Sequence, residues 1–136
     1  MSKLPGPLSA SDLLDAASLR AAVSSSAGCD HCAPLRGTGW ESVGAPLAAP
    51  DFEPIGTLRD TRLDEPVFDE RHVDTPDGPT HYWHPRAPVA VRHFPYNQCT
   101  AWRCAHCQRG FLQYTEAGGY YVDHRVRAID PLLVED

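Results

Sequence analysis

The chain has 136 residues, of which 42% are hydrophobic and 22% are charged, so it fits one globular domain and argues against wholesale disorder. Its formal net charge of −6 opposes nonspecific binding to nucleic acid and to anionic membranes, because both depend on Lys and Arg, and is compatible with a more basic protein partner. Thirteen prolines and ten glycines predict a loop-rich chain with short strands rather than a helical bundle.

The N-terminal region predicts a short lead followed by one helix. Residues 1–8 contain two prolines and no uninterrupted apolar stretch, which is unlike a signal peptide and predicts a flexible lead. Ser9 or Ser11 is expected to cap a helix over about 11–24, since a serine hydroxyl can accept a hydrogen bond from a free backbone N–H group. The predicted helix is moderately amphipathic.

Residues 9–136 are expected to form a single domain in the cytoplasm. No segment approaches the roughly 20 apolar residues of a membrane helix. In the reducing cytosol, paired cysteines bind metal more often than they form disulfides.

The middle of the chain predicts irregular structure with short strands. Residues 33–62 are rich in Gly and Pro, with one strand expected near Ile55–Arg59. Segments Val67–Asp74 and Thr80–His84 flank a Thr-Pro-Asp-Gly-Pro turn signal and predict a hairpin. Residues 88–94 predict a further strand.

The C-terminal third predicts a second hairpin with Gly118 and Gly119 as a two-residue type I′ turn. That register pairs Ala117 with Tyr120, Thr115 with Val122, Gln113 with His124, and Phe111 with Val126. One face then carries Phe111, Val122, His124 and Val126. Tyr114 and Tyr121 lie on the other face, which is either a second buried surface or an exposed aromatic patch of the kind found at protein interfaces.

Two short motifs carry the clearest chemistry, Cys-Asp-His-Cys at 29–32 and Cys-Ala-His-Cys at 104–107. Each Cys-x-x-Cys turn can present two thiolates, and two such turns complete the tetrahedral set that Zn²⁺ prefers. The predicted ligands are Cys29, Cys32, Cys104 and Cys107. Iron bound by the same thiolates, a redox dithiol and unrelated free cysteines are the alternatives.

The stretch Thr-Ala-Trp-Arg-Cys-Ala-His-Cys-Gln-Arg-Gly-Phe-Leu-Gln-Tyr predicts strand, knuckle, strand, and resembles a zinc ribbon or related zinc-knuckle domain. The resemblance covers under a third of the chain and implies a structural zinc, but no activity. The knuckles are separated by roughly seventy residues, more than in a simple ribbon, although the entropy of closing a loop grows only logarithmically with its length.

The remaining cysteine and histidines carry weaker signals. Cys99 is expected to be a small buried side chain, and His31 and His106 are expected to be exposed in their knuckles. Surface or half-buried positions, with hydrogen bonds to the backbone, are expected for four histidines: His72, His81, His84 and His93. His124 lies on the apolar face of its predicted strand and is expected to be a hydrogen-bonded core histidine. No nucleophile, zinc-protease or phosphate-loop signature is present, which favours a non-enzymatic role and leaves catalysis open.

The sequence therefore predicts an α+β domain with one N-terminal helix, a small antiparallel sheet and much irregular chain, clamped by a Cys₄ zinc site. The leading functional hypothesis is a zinc-stabilised protein-binding module for a more basic partner. A thiol-based redox protein or enzyme is one alternative. The other alternative is a nucleic-acid-binding zinc ribbon. Four arginines around the second knuckle and its hairpin could form a local basic patch: Arg103, Arg109, Arg125 and Arg127. These arginines are, however, expected to be solvent-exposed on a strand face.

Overall fold

The computed structural model describes residues 12–35, 39–60, 71, 73–76, 78–117 and 119–136. The predicted flexible lead, the two candidate serine caps, His72, Gly118 and most of the first strand of the middle hairpin lie outside the described residues. Within the part that the structure describes, no helix is long and apolar enough to cross a membrane.

The α-helix, α1 (Ala16–Ala22), is shorter than predicted and is capped by Asp15 rather than by an earlier serine. The Asp15 carboxylate accepts a hydrogen bond from the Ser18 N–H group, and the Ser18 hydroxyl accepts one from the Asp15 N–H group, both at 2.8 Å. This reciprocal pair is a capping box. Before it, the Leu14 N–H group donates to the Thr57 carbonyl oxygen, so the chain there is extended beside a strand instead of helical.

The expected α+β class is confirmed, with a five-stranded antiparallel sheet in the order β1-β8-β7-β6-β2. A three-stranded meander, β6-β7-β8, forms its centre, and two strands from earlier in the chain form its edges. The strands are β1 (Trp40–Val43), β2 (Phe52–Thr57), β3 (Asp74–Thr75), β4 (Gly78–Pro79), β5 (Val89–Ala90), β6 (Thr100–Cys104), β7 (Gly110–Ala117), β8 (Val122–Ala128) and β9 (Val134–Glu135).

Among the described residues between 71 and 94, the chain has less strand than the sequence predicts. The described part of the predicted hairpin is the two-residue pair β3 and β4, and residues 80–84 form turns in which the His84 N–H group donates to the His81 carbonyl oxygen. Of residues 88–94 only β5 is a strand, and it pairs in parallel with β9. Prolines at 79, 85 and 88 interrupt these segments, because proline has no N–H group to donate to a sheet.

The register predicted for the C-terminal hairpin is wrong by two residues. Ala117 pairs with Val122 and Phe111 with Ala128, so four residues separate the paired strands where the sequence predicted two. Gly119 does not have the positive φ that a type I′ turn requires. A slip of two residues leaves every side chain on its own face, so the predicted faces are still correct.

Both faces of the sheet are buried, which explains why β7 is apolar at consecutive positions. Leu112 and Tyr114 face the larger core beneath α1, while Phe111 and Val126 face a smaller core that includes buried cysteines. Tyr114 is only 5% exposed and meets the Trp40 ring edge-on, with 5.0 Å between ring centroids. The suggested aromatic patch of Tyr114 and Tyr121 therefore does not form, although Tyr121 itself is exposed.

Three of the four arginines expected on the surface are buried: Arg103, Arg109 and Arg127. Arg127 donates to the Tyr96 hydroxyl and to the carbonyl oxygens of Pro85 and Ala87. Arg103 donates to the Ala22 carbonyl oxygen at the C-terminal end of α1. These guanidinium groups satisfy buried backbone acceptors instead of solvating a strand face, so that expectation is wrong.

Candidate metal centre

The second knuckle is the tight connection between β6 and β7. Cys104 ends β6, and its N–H group donates to the Arg109 carbonyl oxygen at 2.9 Å, while the Gln108 N–H group donates back to the Cys104 carbonyl oxygen. Gln108 has a φ of 65°, the left-handed conformation that closes the turn. Strand, knuckle and strand follow in the order that the sequence predicts.

The first knuckle reaches the second because the chain leaving α1 runs beside it. The Ser24 N–H group donates to the Gln108 carbonyl oxygen, and the Ser24 hydroxyl donates to the Cys107 carbonyl oxygen, both at 2.9 Å. Gly110 allows this close approach, since a β-carbon there would lie 2.4 Å from a methyl carbon of Val23. Cys29 follows five residues after Ser24.

The four cysteines of the two motifs meet as one cluster, whose sulfur atoms all lie within 4.8 Å of one another. The Sγ–Sγ distances are 3.9 Å for Cys29–Cys32, 3.6 Å for Cys29–Cys104 and 3.7 Å for Cys32–Cys107. A tetrahedral zinc site with bonds of about 2.3 Å has sulfur–sulfur edges of about 3.8 Å. A disulfide would need about 2.05 Å. The spacing is thus consistent with a zinc site.

The electrostatics of the cluster favour a bound cation. Burial raises the pKa of Cys32 to about 12, and it also raises the pKa of Cys104. Burial acts in the same direction on Cys29, but hydrogen bonds from backbone N–H groups and neighbouring thiols lower its pKa to about 7. Without a cation, Cys32 and Cys104 therefore resist becoming thiolates, whereas a bound divalent ion would stabilise their charged form.

Backbone donors also support the sulfurs. The Cys29 N–H group points to the Cys32 Sγ atom at 3.3 Å, and the His106 N–H group points to the Cys104 Sγ atom at 3.4 Å. Cys32 and Cys104 are fully buried, and Cys29 and Cys107 are half-buried. Such N–H···S contacts are typical of metal knuckles and hold the sulfurs in place with or without an ion.

Cys99 lies apart from this cluster, fully buried in the core beneath α1 as expected. Its thiol donates to the Pro95 carbonyl oxygen at 3.3 Å, and burial raises its pKa well above the ordinary value. Cys99 is not a member of either potential metal-donor group found among the described residues.

Among the described residues, the histidines of the middle and C-terminal regions do not come together as a site. The His124 ring contacts the Thr115 hydroxyl at 3.0 Å across the hairpin, but it is only half-buried and not in the core as expected. The His81 ring stacks on the Trp83 ring, and the His84 ring accepts from the Arg86 N–H group. Within the described ranges, none of the three belongs to a metal-donor group.

The two knuckle histidines are exposed, as expected, but they also form a group that the sequence did not predict. His31 and His106 stack on each other and lie beside the Asp51 carboxylate. The sequence signal is that a histidine precedes the second cysteine of both motifs. Nothing in the sequence places Asp51 beside these histidines, because it reaches the knuckle only through the pairing of β2 with β6.

Comparison of the chain with known protein families, curated proteins and solved structures gave no match. The resemblance to a zinc ribbon therefore depends on the knuckle motifs and the hairpin.

Proposed function

We propose that the four clustered cysteines bind one Zn²⁺ ion as a structural site, and that residues 9–136 form a single zinc-stabilised domain related in architecture to zinc ribbons. The observation that carries this proposal is the sulfur–sulfur spacing of 3.6–3.9 Å, which is close to the edge of a zinc–thiolate tetrahedron. The ligands would be Cys29, Cys32, Cys104 and Cys107.

Four protein ligands favour a structural role over a catalytic one. A catalytic zinc keeps a coordination position open for water or substrate, whereas four thiolates close the tetrahedron. The site also joins two parts of the chain that lie 75 positions apart, so an ion that binds only the folded chain adds its binding free energy to the stability of the fold. A non-enzymatic module is the function that fits such a site.

Protein binding is the role that we propose for the module. The loop between β7 and β8 carries apolar side chains into solvent, since Tyr120 is fully exposed and Tyr121 and Val122 are more than half exposed. Exposed tyrosines are typical anchors of protein interfaces. The net charge of −6 supports a more basic partner, and the paired cysteines support a cytoplasmic location.

Nucleic-acid binding receives less support. Arg103, Arg109 and Arg127 donate inward to protein groups, and only Arg125 of that set is partly exposed. Arg125 itself is paired with Glu116 and Asp123. These four residues therefore do not provide the free cations that contact phosphates.

The metal is tested by elemental analysis and native mass spectrometry of protein produced with both iron and zinc in the medium. We expect one tightly held zinc per chain. Iron with visible thiolate-to-metal absorption would replace zinc in the proposal. A metal-free chain with a Cys29–Cys32 disulfide would overturn it in favour of a redox protein.

The binding role is tested by capture from native lysate with the immobilised protein and quantitative mass spectrometry. A variant with Tyr120→Ser and Tyr121→Ser should lose a partner that the wild type enriches. Trp83→Ser is the matched control, because Trp83 is a comparably exposed aromatic residue outside the loop. Equal capture by the wild type and the loop variant would refute the proposed surface.

A further inference from the structure

Three metal-donor side chains meet on the surface beside the cysteine cluster. His31 comes from the first knuckle, His106 from the second, and Asp51 from the residue just before β2. Their donor atoms lie within 4.8 Å of one another, and all three side chains are about half exposed, at 54%, 41% and 51%. Neither the cysteine motifs nor a structural zinc requires them.

The donor atoms of this group lie farther apart than hydrogen-bonded partners. The same Asp51 oxygen lies 4.0 Å from His31 Nδ1 and 3.7 Å from His106 Nε2, too far for a direct hydrogen bond. A tetrahedral ion with bonds of about 2.0–2.1 Å to nitrogen and oxygen would separate its ligand atoms by about 3.4 Å. The two nitrogen–oxygen distances would therefore shorten by about 0.3–0.6 Å around an ion, and exposed side chains are free to make this movement.

The backbone holds Asp51 beside the second knuckle independently of the histidine rings. The Ala105 N–H group donates to the Asp51 carbonyl oxygen at 2.8 Å, which ties the start of β2 to the second knuckle. The two imidazole rings stack with their centroids 3.5 Å apart and their planes 15° apart, and a nitrogen of each ring lies within 4.0 Å of the same Asp51 oxygen. Because an imidazole nitrogen binds an ion in the plane of its ring, at least one of these exposed rings must turn out of the stack when both bind one ion.

We propose that His31, Asp51 and His106 form a second, exchangeable binding site for a divalent transition-metal ion, distinct from the four cysteines. Two imidazoles and one carboxylate suit zinc, nickel and iron(II). Because the protein supplies three ligands, at least one coordination position remains open to water or to a side chain of a bound partner. The site also accounts for the histidine that precedes the second cysteine of each motif.

The test uses full-length protein with its cysteine site loaded with zinc, titrated with further Zn²⁺ by calorimetry and native mass spectrometry. The wild type is expected to bind a second zinc at least 100-fold more weakly than the first. His31→Gln and His106→Gln should each weaken the second zinc at least tenfold and leave the first in place. His84→Gln is the matched control and should behave as the wild type, because His84 lies outside the group.

A wild-type measurement avoids the case in which a variant fails to fold. Substoichiometric Ni²⁺ added to the zinc-loaded protein should broaden the imidazole NMR signals of His31 and His106 before those of the other histidines. Saturation at one zinc per chain, a second zinc that both histidine variants retain, or broadening confined to other histidines would each overturn the proposal. Loss of the tightly held ion in His31→Gln would also overturn the proposal, because it would show that the His31 imidazole binds the ion of the first site.

Discussion

Replacing Cys104 with serine removes one of four sulfurs from the cluster and tests whether both knuckles hold one ion. An ion that binds only the folded state stabilises it by about 4 kcal/mol when its free concentration is a thousandfold above the dissociation constant. This stabilisation of the folded state increases by about 1.4 kcal/mol for each further tenfold increase in the free ion concentration. In a chain of this size 1 kcal/mol shifts the Tm by about 4 °C, so the wild-type Tm should rise by about 5–6 °C per tenfold in free zinc.

The assay is calorimetry or dye-based melting in zinc buffers that span three decades of free zinc, where the wild type should gain about 16 °C in total. Cys104→Ser and Cys29→Ser should both lose this dependence. Burial alone would predict unequal effects, because Cys104 is fully buried and Cys29 is only half-buried, whereas a shared ion predicts equal loss of the slope.

Cys99→Ala is the control for removing a buried thiol outside the cluster. Its Tm should be lower at every zinc concentration, by the equivalent of about 1–3 kcal/mol, with the slope unchanged. The reasoning is refuted if Cys29→Ser keeps the wild-type slope while Cys104→Ser loses it, because the two motifs would then not share an ion.

Two further predictions concern packing and buried charge, and both are measured by urea unfolding of zinc-loaded protein. Gly110→Ala should cost about 1–3 kcal/mol, because the new β-carbon would lie 2.4 Å from Val23 Cγ1. Gly44→Ala, where no heavy atom lies within 4 Å, should change stability by less than about 0.5 kcal/mol, and equal effects at the two glycines would contradict the close approach. Arg127→Met should cost about 2–4 kcal/mol, because it leaves the buried Tyr96 hydroxyl and Ala87 carbonyl oxygen, and the partly buried Pro85 carbonyl oxygen, without their donor. Arg127→Lys should recover only part of this loss, and full stability in the methionine variant would show that those acceptors find other donors.

Features with a local sequence signal could be predicted, and most features that depend on distant pairing could not. Each Cys-x-x-Cys motif is a local signal, and the preference of an ion for four ligands predicts that the two motifs meet across 75 positions. The cluster of four cysteines was therefore predictable and its formation is confirmed, while metal binding by it stays a prediction. The alternation of β7 and β8 gave the correct faces, because a strand has a period of two residues. The same period cannot distinguish registers that differ by two residues, which is why the hairpin loop was predicted too short.

The role of Asp51 and the burial of the arginines depended on tertiary structure. Asp51 reaches the knuckle histidines through pairing of β2 with β6, two segments far apart in the chain. Arg103 and Arg127 each lie between two apolar neighbours on a strand, and this alternation predicts exposed arginine side chains. The acceptors that allow their burial include backbone carbonyl oxygens of distant segments, which leave no trace in the residue pattern.

The order of strands in the sheet has a consequence for how the chain folds. The meander β6-β7-β8 pairs neighbours in sequence and can form early, because closing short loops costs little entropy. Its two outer edges are covered only when β2 pairs with β6 and β1 pairs with β8, which requires contacts across much of the chain. Until then both edges present unpaired N–H and C=O groups, which readily recruit strands from other molecules. Failure to bring in the first half of the chain should therefore appear as self-association of an intact meander rather than as loss of β structure.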